Sequence, residues 1–166
     1  MSGRTGASLD AILREAVERD DVPGVAAVAG NRNGTLHEGA FGRRGLDRPD
    51  PMTPDTVVWI ASMTKAITTV AALQQVEAGK LALDAPIAET VPALAEPKVL
   101  EGFDAEGAPR LRRARRPVTL RHLLTHTAGF AYPHWNADLL RYQQSSGAPI
   151  PFLQLPPVAD AGERWG

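Results

Sequence analysis

Asp55-Thr56-Val57-Val58-Trp59-Ile60-Ala61-Ser62-Met63-Thr64-Lys65 is the stretch on which the fold turns. Val57 to Ile60 is a short continuous apolar run with the length of a buried strand, and Ser62 to Ala78 has helix-forming composition with Gly79 as its stop signal. Strand, tight turn and helix in that order place Ser62 at the turn. A serine hydroxyl is a poor nucleophile at neutral pH unless a neighbouring base takes its proton. Lys65, three positions on, lies about one turn along the same helical face, and its stem is long enough to bring the amine to the hydroxyl. Burial in a dry cleft and the positive end of the helix macrodipole would both favour the neutral amine that a base requires. The same helix end offers the backbone N–H of Ser62 to a developing oxyanion, a stabilisation of about 3 kcal/mol per donor where water is excluded. Ser62 and Lys65 are therefore the candidate catalytic residues. An isolated Ser-x-x-Lys is more often a capping serine beside a solvated lysine; the apolar run before it and the unbroken helix after it separate the two readings.

Outward from this segment, Leu9, Ile12, Leu13, Ala16 and Val17 fall on one helical stripe behind Ser8 as N-cap, with Pro23-Gly24 ending the helix. Val25–Ala29 and Thr35–Phe41 read as a β-hairpin turned by Asn33-Gly34. From 42 to 56 the chain is polar, and Pro49, Pro51 and Pro54 deny it helix and central strand. Downstream, Asp84 with Pro86 marks a further helix start, residues 92–117 read as a long connection, and Leu120–Leu124 as a short apolar helix. Thr125-His126-Thr127-Ala128-Gly129 then has the small residues of a turn lining a cleft, and four prolines from Pro149 to Pro157 enforce an extended path. Two regions are expected: 1–60, the N-terminal helix and hairpin, and 61–166, which opens on the helix of Ser62 and Lys65 and, as a resemblance described below implies, holds part of a helical domain.

The chain has 166 residues, 43% hydrophobic and 22% charged, enough for one ordinary core. Its net charge of -1, from 18 basic and 19 acidic side chains, provides no general attraction to nucleic acid or anionic lipid. With no cysteine, disulfides, thiolate metal sites and cysteine nucleophiles are excluded. Arg14, Glu15, Glu18, Arg19 and Asp20 interrupt the first 21 positions, so the expectation is a cytoplasmic protein without a membrane anchor. Arg110, Arg112, Arg113, Arg115 and Arg116 read as a solvated loop, since no aromatics interleave them as nucleic-acid binding would require. His122 and His126 have i, i+4 spacing but no third ligand, so neither metal nor other cofactor is expected. His126 is expected to bond backbone in the turn, with His122 partly exposed. Phe130, Tyr132 and Trp135 gather aromatic surface after the turn, which makes Tyr132 and Trp135 candidate substrate-binding residues.

The run from Asp55 to Lys65 closely resembles the nucleophile segment of class C β-lactamases, D-alanyl-D-alanine peptidases and family VIII carboxylesterases. Gly79-Lys80-Leu81-Ala82-Leu83-Asp84 also resembles that superfamily, and Leu123-Leu124-Thr125-His126-Thr127-Ala128-Gly129 is similar to its Leu-Leu-Thr-His-Thr-Ser/Ala-Gly signature. Gly162-Glu163-Arg164-Trp165 resembles the approach to the family's catalytic tyrosine. The resemblance implies an α/β (α+β), β-lactamase/transpeptidase-like fold, an antiparallel sheet flanked by helices beside a mostly helical domain, with this chain holding part of each. It implies acyl-enzyme chemistry at Ser62 with Lys65, most readily as a carboxylesterase on short-chain esters, with β-lactamase or D-Ala-D-Ala peptidase as the alternative. The tyrosine that would follow Trp165, and the family's later Lys/His-Thr/Gly-Gly strand, are not in this sequence, and neither Tyr132 nor Tyr142 sits in the tyrosine motif. The expected partners are a small ester or β-lactam and a complementary C-terminal segment of the same protein. The rival from another class is a non-catalytic fragment or binding module.

Overall fold

The structure, a computed structural model, describes residues 2–165. It forms two compact units, 1–61 and 62–166. In the first, helix α1 (Ser2–Glu18) precedes strands β1 (Gly24–Asn31), β2 (Gly34–Gly45) and β3 (Arg48–Pro51), which make one antiparallel sheet in the order β1-β2-β3. Ser8 is not the N-cap; the helix runs through it from Ser2, because once a helix is nucleated each further residue needs only its own hydrogen bond to join. It also stops before Pro23-Gly24. Asp20 adopts φ 57°, and the N–H groups of Asp20 and Asp21 return to the carbonyls of Val17 and Ala16, the paired bonds of a left-handed helix terminus.

The hairpin forms with a different turn from the one expected. Asn31 pairs with Gly34, so Arg32 and Asn33 occupy the centre, and the Asn31 side chain accepts the Asn33 N–H at 2.8 Å. That side-chain bond closes an Asx turn without positive φ at Asn33, and the register slips by one residue beyond Ala29. The polar segment after Gly42 is more ordered than its prolines suggest. Arg43 pairs with Pro51 and Gly45 with Arg48, placing Pro49 and Pro51 on an edge strand, where a missing N–H breaks no inner ladder. Helix α1 lies on this sheet, with the Arg14 guanidinium 4.6 Å from the centre of the Phe41 ring.

The second unit opens with helix α2 (Thr64–Glu77), followed by single 3-10 turns at Ile87–Glu89 and Pro92–Leu94, strands β4 (Lys98–Phe103) and β5 (Pro109–Arg113), and helices α3 (Leu120–Leu124) and α4 (Ala137–Ser145). Gly79, at φ 70°, ends α2 as its position suggested: its N–H and that of Lys80 return to Val76 and Gln75. The helix expected after Asp84-Pro86 amounts to one 3-10 turn, since the Ile87 N–H goes to the Val118 carbonyl and Ile87 is buried. The expected long connection from 92 to 117 holds the antiparallel β4–β5 hairpin. Pro97 precedes β4 and Pro109 begins β5, positions where proline is tolerated. Asp104 and Gly107 form its turn, with the Asp104 carboxylate accepting the Ala108 N–H at 2.7 Å. Helix α4, unmarked in the sequence reading, is capped by Asn136, whose side chain accepts the Leu139 N–H at 2.9 Å. The proline-rich segment is interrupted by a 3-10 turn at Phe152–Gln154.

Two apolar clusters organise this unit. Ile87, Leu94, Val118, Leu120, Ala128 and Ala161 pack with Ala72 and Val76 of α2, and Leu100, Leu139 and Leu155 pack with Tyr142 and Ile150. Leu139 is wholly buried, which anchors α4 despite its short length. No described helix is long and apolar enough to cross a membrane.

Val57–Ile60 is the largest departure. It forms no strand, and Val57 and Trp59 are 96% and 95% exposed. A short apolar run acquires strand structure only when a neighbouring strand takes its N–H and C=O groups, and among the described residues none does.

Candidate active site

The nucleophile segment is shaped by its backbone before its side chains. Ala61 has φ 44°, a left-handed conformation that costs a non-glycine residue on the order of 1–2 kcal/mol. Ala61–Met63 then makes a 3-10 turn that runs into α2 at Thr64. Ser62 stands on this turn and Lys65 in the first turn of the helix. The Lys65 Nζ donates to the Ser62 Oγ at 2.8 Å, so the three-residue spacing brings the amine and hydroxyl into contact. Thr68 and Thr69 direct their hydroxyls back to the carbonyls of Thr64 and Lys65, at 3.0 and 2.7 Å, and so crowd no polar group against the pair. The dry cleft expected around Lys65 is not supplied by residues 2–165. Ser62 and Lys65 are both exposed, and no residue of α2 is fully buried.

The Thr125–Gly129 turn is built by hydrogen bonds and by one close approach. The Thr127 N–H goes to the His122 carbonyl at 2.8 Å, and Thr125 Oγ1 lies 2.9 Å from Thr127 Oγ1. Gly129, at φ 85°, accepts the Val158 N–H at its carbonyl, and a Cβ there would come within 2.1 Å of the Ala159 carbonyl oxygen. Only glycine allows the turn and the 158–162 segment to meet. His122 is partly exposed as expected, but its ring, and not that of His126, is the one bonded to backbone. His126 is exposed at φ 57°, its ring 6.3 Å from that of Trp165, whereas His122 is half-buried and accepts the Thr119 N–H at Nδ1, 3.2 Å away. The reason is that α3 ends at Leu124: His126 lies beyond it, while His122 occupies the position from which a side chain reaches back to the N-cap residue. No described group of three or more His, Asp or Glu side chains is placed to hold a metal.

Tyr132 and Trp135 come together edge to face at 5.3 Å, with His134 4.6 Å from Trp135 and Phe152 5.6 Å from Tyr132. Trp135 is 77% exposed. Among the described residues no hydrogen bond or ring contact joins this cluster to Ser62 or Lys65. His134 and Phe152 also belong to this cluster, and Phe152 comes from beyond α4, where no local pattern marks it for contact.

The arginine run is solvated at Arg110, Arg113, Arg115 and Arg116 as expected, but its first part is strand β5 instead of loop, and Arg112 is drawn partly out of solvent. Asp160, with its side chain wholly buried, accepts the Arg112 Nη1–H at 3.1 Å and the Arg115 backbone N–H at 2.8 Å. Arg112 Nη2 lies 2.9 Å from the second carboxylate oxygen, an ionic contact rather than an aligned hydrogen bond. Arg112 also binds Glu101 at 2.7 Å, and Arg113 binds Glu96 at 2.6 Å. The Arg112 hydrogen bond, then that of the Arg115 N–H, holds the Asp160 carboxyl below its ordinary range against the opposing cost of burial. The partners lie 48 and 45 residues apart, a distance over which no spacing rule could pair them. This cluster, with the Gly162 N–H donating to the Thr127 carbonyl at 2.7 Å, ties the 158–163 segment to both the turn and the β4–β5 hairpin.

A serine and lysine in contact at the start of a helix, followed by this turn and a buried second segment, define a scaffold of the β-lactamase type. The chain belongs to the β-lactamase family, whose family model matches residues 9–166. It is 37% identical to the acyltransferase mokF of Monascus pilosus, covering 99% of this chain and 43% of that protein. It is 33% identical to a lovastatin esterase of Penicillium rubens, over 85% of this chain and 36% of that one. Unliganded simvastatin synthase from Aspergillus terreus superposes with a TM-score of 0.81 at 34% identity, covering 96% of this chain and 44% of the other. The chain therefore has the β-lactamase-like fold, and it spans about two-fifths of the length of these relatives.

Proposed function

We propose that this protein is a serine hydrolase acting through an acyl-enzyme, with a carboxylesterase activity on short-chain esters. Ser62 Oγ attacks the ester carbonyl carbon while Lys65 Nζ, in its neutral form, takes the hydroxyl proton. The tetrahedral intermediate collapses as the C–O bond to the alcohol breaks, and the alcohol leaves with that proton. Water then attacks the acyl-serine, releasing a carboxylic acid and restoring the hydroxyl. The observation that carries this reading is the 2.8 Å contact between Lys65 Nζ and Ser62 Oγ, within the reach required of a base and its nucleophile. Tyr132 and Trp135, an exposed aromatic pair, are proposed to contact the acyl or alcohol group. We further propose that a complementary C-terminal segment covers α2 and completes the site. The two-fifths span relative to the relatives and the exposure of Val57, Trp59 and Ile67 support that.

A second reading is transfer of the acyl group to an alcohol instead of water. It is favoured by the names of two relatives that this chain matches over 99% and 95% of its length, acyltransferase mokF and the monacolin J acid methylbutanoyltransferase of Aspergillus terreus. Incubating the protein with a fluorophosphonate or a labelled penicillin, followed by peptide mass spectrometry, tests both readings. An adduct on Ser62 that disappears in Ser62→Ala and forms at least about a hundredfold more slowly in Lys65→Met is expected. Absence of any adduct in the full-length protein would leave the binding-module reading standing. Product analysis with p-nitrophenyl acetate, with and without added alcohol, separates hydrolysis from transfer.

A further inference from the structure

Four arginines of the 110–116 run are engaged: Arg112 and Arg115 by Asp160, Arg113 by Glu96, and Arg110 by the Glu101 carbonyl at 3.5 Å. Arg116 is exposed and forms no hydrogen bond or ion pair among the described residues. Its Nη1 and the His122 ring both approach Gly162, and the pattern of bonds around that ring assigns its tautomer. Thr119 N–H can only donate, so His122 Nδ1, 3.2 Å away, must accept, which puts the ring proton on Nε2. That Nε2–H has no acceptor among the described residues. Both nitrogens stand near the exposed Gly162: a Cβ built there would lie 3.2 Å from His122 Nε2 and 3.4 Å from Arg116 Nη1, the nearest atoms outside Gly162 and its two chain neighbours.

We propose that Arg116 and His122 form a binding site for a small oxyanion at the surface beside Gly162. A guanidinium N–H and an imidazole N–H reaching one point supply two donors and one fixed positive charge, the arrangement that carboxylate and phosphate oxygens accept. The nearby carboxylates are already engaged. Glu163 accepts the Asp160 N–H at 3.1 Å and lies 3.7 Å from Arg115, while Asp84 is held by two bonds from Arg121 at 2.6 and 2.8 Å. Glycine at 162 leaves open the approach that any side chain would fill. The site is independent of the acyl-transfer chemistry and stands or falls separately from it.

The test is to titrate the full-length protein, labelled with nitrogen-15 at histidine, with sodium acetate and separately with inorganic phosphate, holding ionic strength constant with chloride. Saturable movement of the His122 ring resonances is expected with at least one of the two anions. Acetate alone would assign a carboxylate site, phosphate alone a phosphate site, and both a general oxyanion site. Arg116→Gln should weaken binding at least about fivefold, as loss of one charge-assisted hydrogen bond at an exposed position requires, and Arg113→Gln should leave it unchanged. Arg116→Lys, which keeps the charge and loses the planar fork, should fall between them and serves if the glutamine variant does not fold. No saturable shift with either anion, or equal weakening in the Arg113 and Arg116 variants, would overturn the proposal.

Discussion

Replacing Asp160 by asparagine preserves side-chain volume and removes one buried charge. The amide oxygen can still accept both the Arg115 N–H and the Arg112 Nη1–H, which share one carboxylate oxygen, but the negative charge is lost and the amide NH2 takes the place of the oxygen 2.9 Å from Arg112 Nη2, donor against donor. Breaking a buried ion pair by removing one partner costs about 3–5 kcal/mol when the survivor is stranded. Here Arg112 is 25% exposed and keeps Glu101 at 2.7 Å, so the cost should fall to about 2–3 kcal/mol. Arg112→Met leaves the opposite survivor, a carboxylate with no exposed surface that keeps the Arg115 N–H at 2.8 Å and the Arg115 Nε at 3.6 Å, and should cost about 3–4 kcal/mol. The double variant should be less destabilised than the sum, because neither charge is then left unpaired. Urea unfolding followed by tryptophan fluorescence measures all three, read from the midpoint at unchanged slope. The pH dependence has a fixed direction. Asp160 has a folded pKa below its ordinary 3.8, so its contribution is complete above that value and disappears as pH falls through the lower folded one. Asp160→Asn should lack that acid-dependent component. If Arg112→Met proved no costlier than Asp160→Asn, or if Asp160→Asn cost under about 0.5 kcal/mol, the description of this cluster as a buried clamp would be wrong.

Gly79 and Gly129 share a left-handed backbone but not their surroundings, and alanine should tell them apart. Gly79→Ala meets nothing within 4 Å and should cost about 1 kcal/mol in thermal or urea unfolding, the conformational penalty alone. Gly129→Ala drives a methyl against the Ala159 carbonyl at 2.1 Å and should cost at least about 3 kcal/mol, since backbone must move; equal losses would discount the close approach. Thr119→Ala removes the hydroxyl that accepts the His122 N–H at 3.3 Å and should destabilise by about 1 kcal/mol, with faster amide exchange in the first turn of α3 as the local signature.

Local patterns predicted the local elements well and the tertiary ones poorly. The Leu120–Leu124 helix, the Gly79 stop and the contact of Ser62 with Lys65 depend on neighbours within a turn or two, and spacing alone specifies them. Helix α4 has a readable signal in its Asn136 cap and Leu139-Leu140, set among prolines and aromatics that favour irregular chain. The β4–β5 hairpin was hidden by Pro97, Pro109 and the arginines, whose charges looked destined for water.

What the sequence determined by itself is the chemistry within one helical turn: a hydroxyl, an amine three residues on, and a turn of small residues that tolerates positive φ at His126 and Gly129. These follow from backbone geometry, which is the same wherever the segment sits. Tertiary structure alone decided that Asp160 would be buried against Arg112 and Arg115. That depends on which residue from dozens of positions away arrives to complete a hydrogen bond and exclude water, and no local spacing encodes such an arrival.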